Sequence, residues 1–227
     1  MFLGASLNPE YFNQKVNLFV ALAPVANTAT VDGPFLLAIA PYFKTMEFVM
    51  VNILGVYNWF NPVYGTQMIN FCQQLGVEEA CFNFFANNFF NPTVDNLERI
   101  PVFLYKEPSG QSWRTFVYYA QMMKSKRYCL YDYGKRKNKS IYGTDEPPLV
   151  PIEDLDIPVA LFSGSLDHIG DPQDVQFLAD KLGDNLVFHK EYELDHYSFA
   201  LANDVTFMDD AISVINQYNN MTDIAYI

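Results

Sequence analysis

Cysteine, basic side chains and long apolar runs are scarce in this chain of 227 residues, and each shortage closes off a class of protein. Three cysteines cannot scaffold a disulfide-stapled fold, and no two of them form the C-x-x-C pair that holds zinc or runs thiol exchange. Fourteen Lys plus Arg stand against 26 Asp plus Glu, a formal net charge of −12. A field of that sign repels phosphate backbones and anionic membrane surfaces, so no nucleic-acid partner is expected. Residues 48–77 carry no charged side chain, but Asn52, Gly55, Asn58, Asn61, Pro62 and Gly65 interrupt them. No run of about 18 apolar residues, and hence no transmembrane segment, is predicted there. Met1–Leu7 lacks a preceding basic region and is short for a signal core, so no secretory signal is predicted.

Apolar residues make up 50% of the chain, enough to fill a real core, which excludes disorder. The aromatic share, with 20 Phe and 15 Tyr, suits a protein that presents an aromatic pocket or surface to something apolar. Val16–Ala23 is a near-continuous apolar run, the pattern of a parallel strand buried on both faces. Ile157–Ser163 is a second such run, while Leu186–Tyr192 alternates and predicts a strand nearer an edge. Between these two, Asp171-Pro172 opens a helix that Gly183 closes, giving a β-α-β unit. Asn203 or Asp204 caps a last amphipathic helix with Val205, Met208, Ala211, Ile212 and Ile215 at helical spacing. Met1–Leu7 resembles the later turns of a helix, with an exit at Asn8-Pro9. Residues 27–125, aromatic, Asn-rich and cut by Pro34, Pro41, Pro62, Pro92, Pro101 and Pro108, read as a helical insertion. The basic run Lys135–Lys139 reads as a solvated loop.

Two residues stand where chemistry is expected. Asp167 directly follows the second strand and His196 the third, and in a parallel sheet both loops emerge at the carboxyl edge, where open α/β sheets keep their sites. An Asp that orients a His base is half of a hydrolase triad. Of the other two histidines, His189 lies inside a strand and His168 adjoins Asp167 too closely in sequence to present its ring. Cys72 and Cys81 are near enough to close a short loop or to stand as separate thiols.

Several motifs go beyond this pattern. Asn17-Leu-Phe-Val-Ala-Leu-Ala-Pro-Val-Ala26, Pro108-Ser-Gly-Gln-Ser112, Tyr119-Ala-Gln-Met-Met-Lys-Ser125, Asp132-Tyr-Gly134 and the stretch from Leu166-Asp167 through Asp171-Pro-Gln-Asp-Val175 resemble the acid lipase family, gastric and lysosomal, over nearly the whole chain. That resemblance implies an incomplete α/β-hydrolase with a helical cap. Residues 1–26 would be the end of the post-nucleophile helix and a core strand, 27–125 the cap and lid, and 126–227 the C-terminal part of the core. It implies Asp167 as triad acid and His196 as triad base, a cap disulfide between Cys72 and Cys81, and Cys129 left as a thiol. Phe84, Phe85, Phe89 and Phe90 would line the acyl groove or fill the cap core. No cofactor is implied. The partner is a neutral lipid, triacylglycerol or steryl ester, at a lipid–water interface, and the residence is lysosomal or secreted. The sequons at Asn138 and Asn220 agree with that residence as glycosylation candidates.

The nucleophile is missing. No Gly precedes another by four positions, so G-x-S-x-G is absent from these residues. By the same resemblance the serine would lie a few residues upstream of Met1, with the oxyanion donors, and the Val16–Ala23 strand would keep an open edge. Two classes of function follow: an ester hydrolase whose remaining half is supplied upstream, or an inactive remnant that binds lipid or a partner protein.

Overall fold

A three-stranded parallel sheet organises the molecule, in the order β1 (Phe19–Leu22), β4 (Val159–Gly164), β5 (Leu186–Tyr192). Two-residue strands β2 (Asn58–Trp59) and β3 (Gln111–Ser112) pair separately and antiparallel. The structure is a computed structural model that describes residues 1–59, 70, 74–76, 90–104 and 110–219.

Every residue of β4 is buried because it is the central strand and carries helices on both faces. Its side chains alternate: Val159 and Leu161 enter one core, Ala160 and Phe162 the other. The first core takes Phe2 and Ala5 of the Phe2–Leu7 helix and Val175, Leu178, Ala179 and Leu182 of the Pro172–Leu182 helix. The second takes Phe207, Ala211 and Val214 of the Phe207–Tyr218 helix, with Phe162 stacked on Phe188 at 4.9 Å. The arrangement is consistent with an incomplete α/β-hydrolase.

The strand β1 is shorter and wetter than its apolar run predicts: it begins at Phe19, and Leu22 is exposed. Among the described residues only β4 pairs with it, so one edge carries no ladder. The Pro172–Leu182 helix starts as its sequence predicts, with the Asp171 carboxylate accepting from Gln173 N at 2.8 Å. The last helix does not. It starts at Phe207, Asp204 instead caps the preceding turn through Thr206 N at 2.9 Å, and Val205 and Met208 face solvent. The buried stripe is Phe207, Ala211 and Val214, because Phe207 is the larger anchor and turns the helix toward itself. Lys135–Lys139 belongs to a helix, Lys135–Tyr142, and not to a loop. Its aromatic support comes from Tyr133, whose ring lies 4.7 Å from Lys137 Nζ.

In the 27–125 segment, the Pro34–Ile53 stretch packs Ala40 and Phe43 against Val117 and Met123 of the Trp113–Ser125 helix. It is long and apolar enough to cross a membrane by length and composition alone, a feature that inspection of 48–77 passes over. It is interrupted by a 3-10 turn at Ala40–Tyr42, and Leu37, Tyr42, Phe48 and Ile53 are exposed.

Candidate active site

The parallel pairing of β4 and β5 runs past the strand ends and draws their loops together. Gly164 pairs with Tyr192, Ser165 N donates to Tyr192 O at 2.8 Å, and Leu166 N donates to Leu194 O at 3.1 Å. Gly164 makes that approach possible, since a Cβ there would lie 2.2 Å from the Leu194 carbonyl oxygen. Three residues after Gly164 comes Asp167, and two after Leu194 comes His196.

Asp167 is fully enclosed, and its two oxygens are divided between two tasks. Oδ1 accepts from Ile169 N at 2.8 Å and Gly170 N at 2.7 Å, while Oδ2 meets His196 Nδ1 at 2.9 Å. A carboxylate accepts, so this contact suits a proton on Nδ1, and in the neutral imidazole of that tautomer Nε2 is the acceptor. The imidazole, partly exposed, lies edge-on to Tyr197 with ring centroids 5.3 Å apart. Asp195, just before it, has its carboxyl raised above the ordinary range, mainly by burial and then by the nearby Asp167. Its Oδ1 accepts from His196 N at 2.6 Å.

The two other histidines are engaged elsewhere. His168 Nδ1 lies 2.7 Å from Asp32 Oδ1, and that hydrogen bond raises its pKa. His189 Nε2 lies 3.2 Å from Ser163 Oγ, and burial lowers its pKa.

No family model matches the chain. By sequence it is 30% identical over 207 residues to the gastric triacylglycerol lipase of Rattus norvegicus, covering 89% of this chain and 51% of that protein. It is 28% identical over 229 residues to the lysosomal acid lipase/cholesteryl ester hydrolase of the same species, covering 96% and 55%. Lipase member K of Mus musculus is 28% identical over 207 residues, with 89% and 51% covered. The chain is acid lipase-like. It spans about half the length of the curated relatives it matches. Among solved structures, the monoacylglycerol lipase of Paleococcus ferrophilus overlaps 96% of this chain and 65% of its own, at 16% identity and a TM-score of 0.47.

In this acid lipase-like chain, Phe90 is buried against Ile100 and Leu201, with Phe103 and Tyr197 beside it, so it packs the ground next to His196. Phe84, Phe85, Phe89, Cys72, Cys81 and Asn220 lie outside the described residues. Cys129 is a buried free thiol, its pKa pushed up by that burial. Asn138 is also buried: its Nδ2 donates to Asp132 Oδ1 at 2.7 Å and to the Asp145 carbonyl at 3.0 Å, and its Oδ1 accepts from Tyr133 N at 2.9 Å. The amide nitrogen that a glycan would need is therefore inside the fold.

Four residues around the acid loop escape a reading of the sequence. Gly164 and Gly170 are required by close approaches, Asp32 pairs with His168, and the Tyr119 hydroxyl donates to the Ile169 carbonyl at 3.0 Å. Asp32 and Tyr119 belong to the 27–125 segment, far from the loop in sequence, and no local pattern announces the contact.

Proposed function

We propose that this chain supplies the acid and base of a lipase-type ester hydrolase acting on neutral lipids, with Asp167 and His196 as two members of a Ser-Asp-His triad. The observation that carries the reading is the 2.9 Å contact of Asp167 Oδ2 with His196 Nδ1, at the carboxyl ends of two adjacent parallel strands. A serine from a segment preceding Met1 attacks the ester carbonyl, and His196 Nε2 takes its proton. The imidazolium, held by Asp167, then returns that proton to the leaving alcohol. Water repeats the cycle on the acyl-enzyme and frees the fatty acid. The exposed Leu37, Tyr42, Phe48 and Ile53 support contact of the 34–53 stretch with lipid, as a cap or lid would make. Relatives named as gastric and lysosomal lipases support secreted or lysosomal residence.

The outer edge of β1, unpaired among the described residues, favours a second element alongside it. On this reading that element is the upstream half of the hydrolase, and on the alternative it is a partner of an inactive remnant. The coding sequence before Met1 separates the two: an in-frame G-x-S-x-G, and turnover of an emulsified ester by the joined protein that a serine-directed phosphonate blocks, are expected. Residues 1–227 alone should show no such turnover. Phosphonate-sensitive hydrolysis by residues 1–227 alone would overturn the division of the triad.

A further inference from the structure

The peptide unit between Ile169 and Gly170 is gripped at both ends. Its N–H, on Gly170, donates to Asp167 Oδ1 at 2.7 Å, and its C=O, on Ile169, accepts from the Tyr119 hydroxyl at 3.0 Å. A trans peptide points these two groups in opposite directions, so fixing one end fixes the other, and hydrogen bonds at both ends polarise one another. The unit also has little room to move: a Cβ on Gly170 would lie 3.0 Å from Asp167 Oδ2 and 3.1 Å from the Pro24 carbonyl oxygen.

Tyr119 is itself well anchored. It lies in the Trp113–Ser125 helix, and its own carbonyl accepts from Thr28 Oγ1 at 3.2 Å. Two residues on, Thr30 donates through Oγ1 to Asp171 at 2.7 Å and through N to Asp174 at 2.9 Å, at the start of the helix that follows the acid loop. Burial raises the Tyr119 phenol far above its ordinary range, with Asp167 and Asp174 adding to the effect, so it remains a donor.

We infer that Tyr119 is a positioning residue for the triad acid: its hydroxyl fixes the peptide unit that holds Asp167 Oδ1 and so keeps Oδ2 aimed at His196 Nδ1. This rests on the reading of Asp167 and His196 as triad members. A residue of the 27–125 segment thereby sets the geometry of a group in the core, and a shift of the Trp113–Ser125 helix reaches the reacting histidine through one hydroxyl.

The experiment is proton NMR of the full chain with labelled histidine and glycine, reading the hydrogen-bonded Nδ1–H line of His196, assigned by its loss in His196→Gln, and the exchange of the Gly170 amide. Tyr119→Phe is expected to speed Gly170 exchange about tenfold and to shift or broaden the His196 line. Tyr142→Phe, which loses a similar 3.0 Å bond to the Tyr131 carbonyl, should leave both unchanged. If Tyr119→Phe moves neither signal while Asp167→Asn abolishes the line, the positioning role is wrong and the triad stands. If Asp167→Asn leaves the line in place, the triad reading itself fails. Should Tyr119→Phe not fold, replacing tyrosine by 3-fluorotyrosine keeps the shape and strengthens the donor: a downfield shift of the Gly170 amide supports the role, and no shift refutes it.

Discussion

Asp167 reaches His196 Nδ1 at 2.9 Å through Oδ2 while two amides of its own loop occupy Oδ1. That division makes the carboxylate a fixed acceptor, which is what a triad acid must be if it is to hold one histidine tautomer. If a preceding segment supplies the serine as proposed, then in the joined protein His196→Ala should remove nearly all of kcat, and Asp167→Asn should cost about four orders of magnitude by favouring the wrong tautomer. KM should change little, since neither residue holds the acyl chain. His189→Ala is the control, because its ring is bound to Ser163 and not to the site. Steady-state kinetics on an emulsified ester decide it, and an active His196→Ala protein would remove the histidine from the reaction.

Gly164 is where the two loops are forced together, and an added methyl has nowhere to go. The nearest atom, 2.2 Å from the ideal Cβ position, is a backbone oxygen that a rotamer change cannot move. Gly164→Ala should therefore cost about 1–3 kcal/mol, as overpacking does, and loosen the Asp167–His196 contact along with the fold. Denaturant unfolding measures the first effect, and the His196 Nδ1–H signal the second. Unchanged stability would mean that the His196 loop is not seated against the strand end.

The three parallel strands are legible in the sequence because the first two are written as near-unbroken apolar runs and the third, at an edge, as an alternating one, and the Asp167–His196 pair is legible because each residue stands in a loop that follows one of the last two strands. The priority of His196 over His168 and His189 also follows from position alone. What the sequence does not carry is long-range. Val205 and Met208 satisfy the helical period as well as Phe207 does, and only packing against Phe162 and Tyr192 decides which face turns inward. Lys135–Tyr142 is half Lys and Arg, good helix formers, but a short run of charge reads the same on an exposed helix as in a solvated loop, and the contact of Lys137 with Tyr133, outside the helix, is not written in the run itself. Tyr119 and Asp32 gain their roles from a fold that brings residues about fifty or more positions apart into contact.

The His168–Asp32 pair joins the acid loop to the 27–125 segment, and it titrates. The hydrogen bond to Asp32 raises the folded pKa of His168 above the ordinary 6.5. Its contribution to stability is therefore complete below pH 6.5 and is lost as the pH rises through the elevated folded value. Both side chains are more than half exposed, so solvent screening limits the gain to less than about 1 kcal/mol. Asp32→Asn should lower the unfolding midpoint slightly in acid and not at all well above neutral pH. An equal loss at both would assign Asp32 a role other than the ion pair.

The sequon at Asn138 gives the most direct contrast between motif and fold. Three of the four hydrogen-bonding directions of the buried amide are filled, both N–H donors by Asp132 Oδ1 and the Asp145 carbonyl and one oxygen lone pair by Tyr133 N, so the side chain ties the turn before the Lys135–Tyr142 helix to the turn after it. The bond from Asn138, followed by that from Gly134 N, holds the Asp132 carboxyl below its ordinary 3.8. Asp132 thus adds stability above pH 3.8 that fades as the pH falls through its depressed folded value. Asn138→Ala should leave those partners unmatched at about 1–3 kcal/mol for each group that water cannot reach, and should weaken the acid dependence that Asp132 confers. Material made in a glycosylating host should carry no sugar at this position, because the nitrogen is occupied once the chain folds. Intact-mass and peptide analysis read the modification, and pH-dependent unfolding reads the turn. A glycan on Asn138 in folded, active protein would show that this amide is accessible and that the turn is built differently.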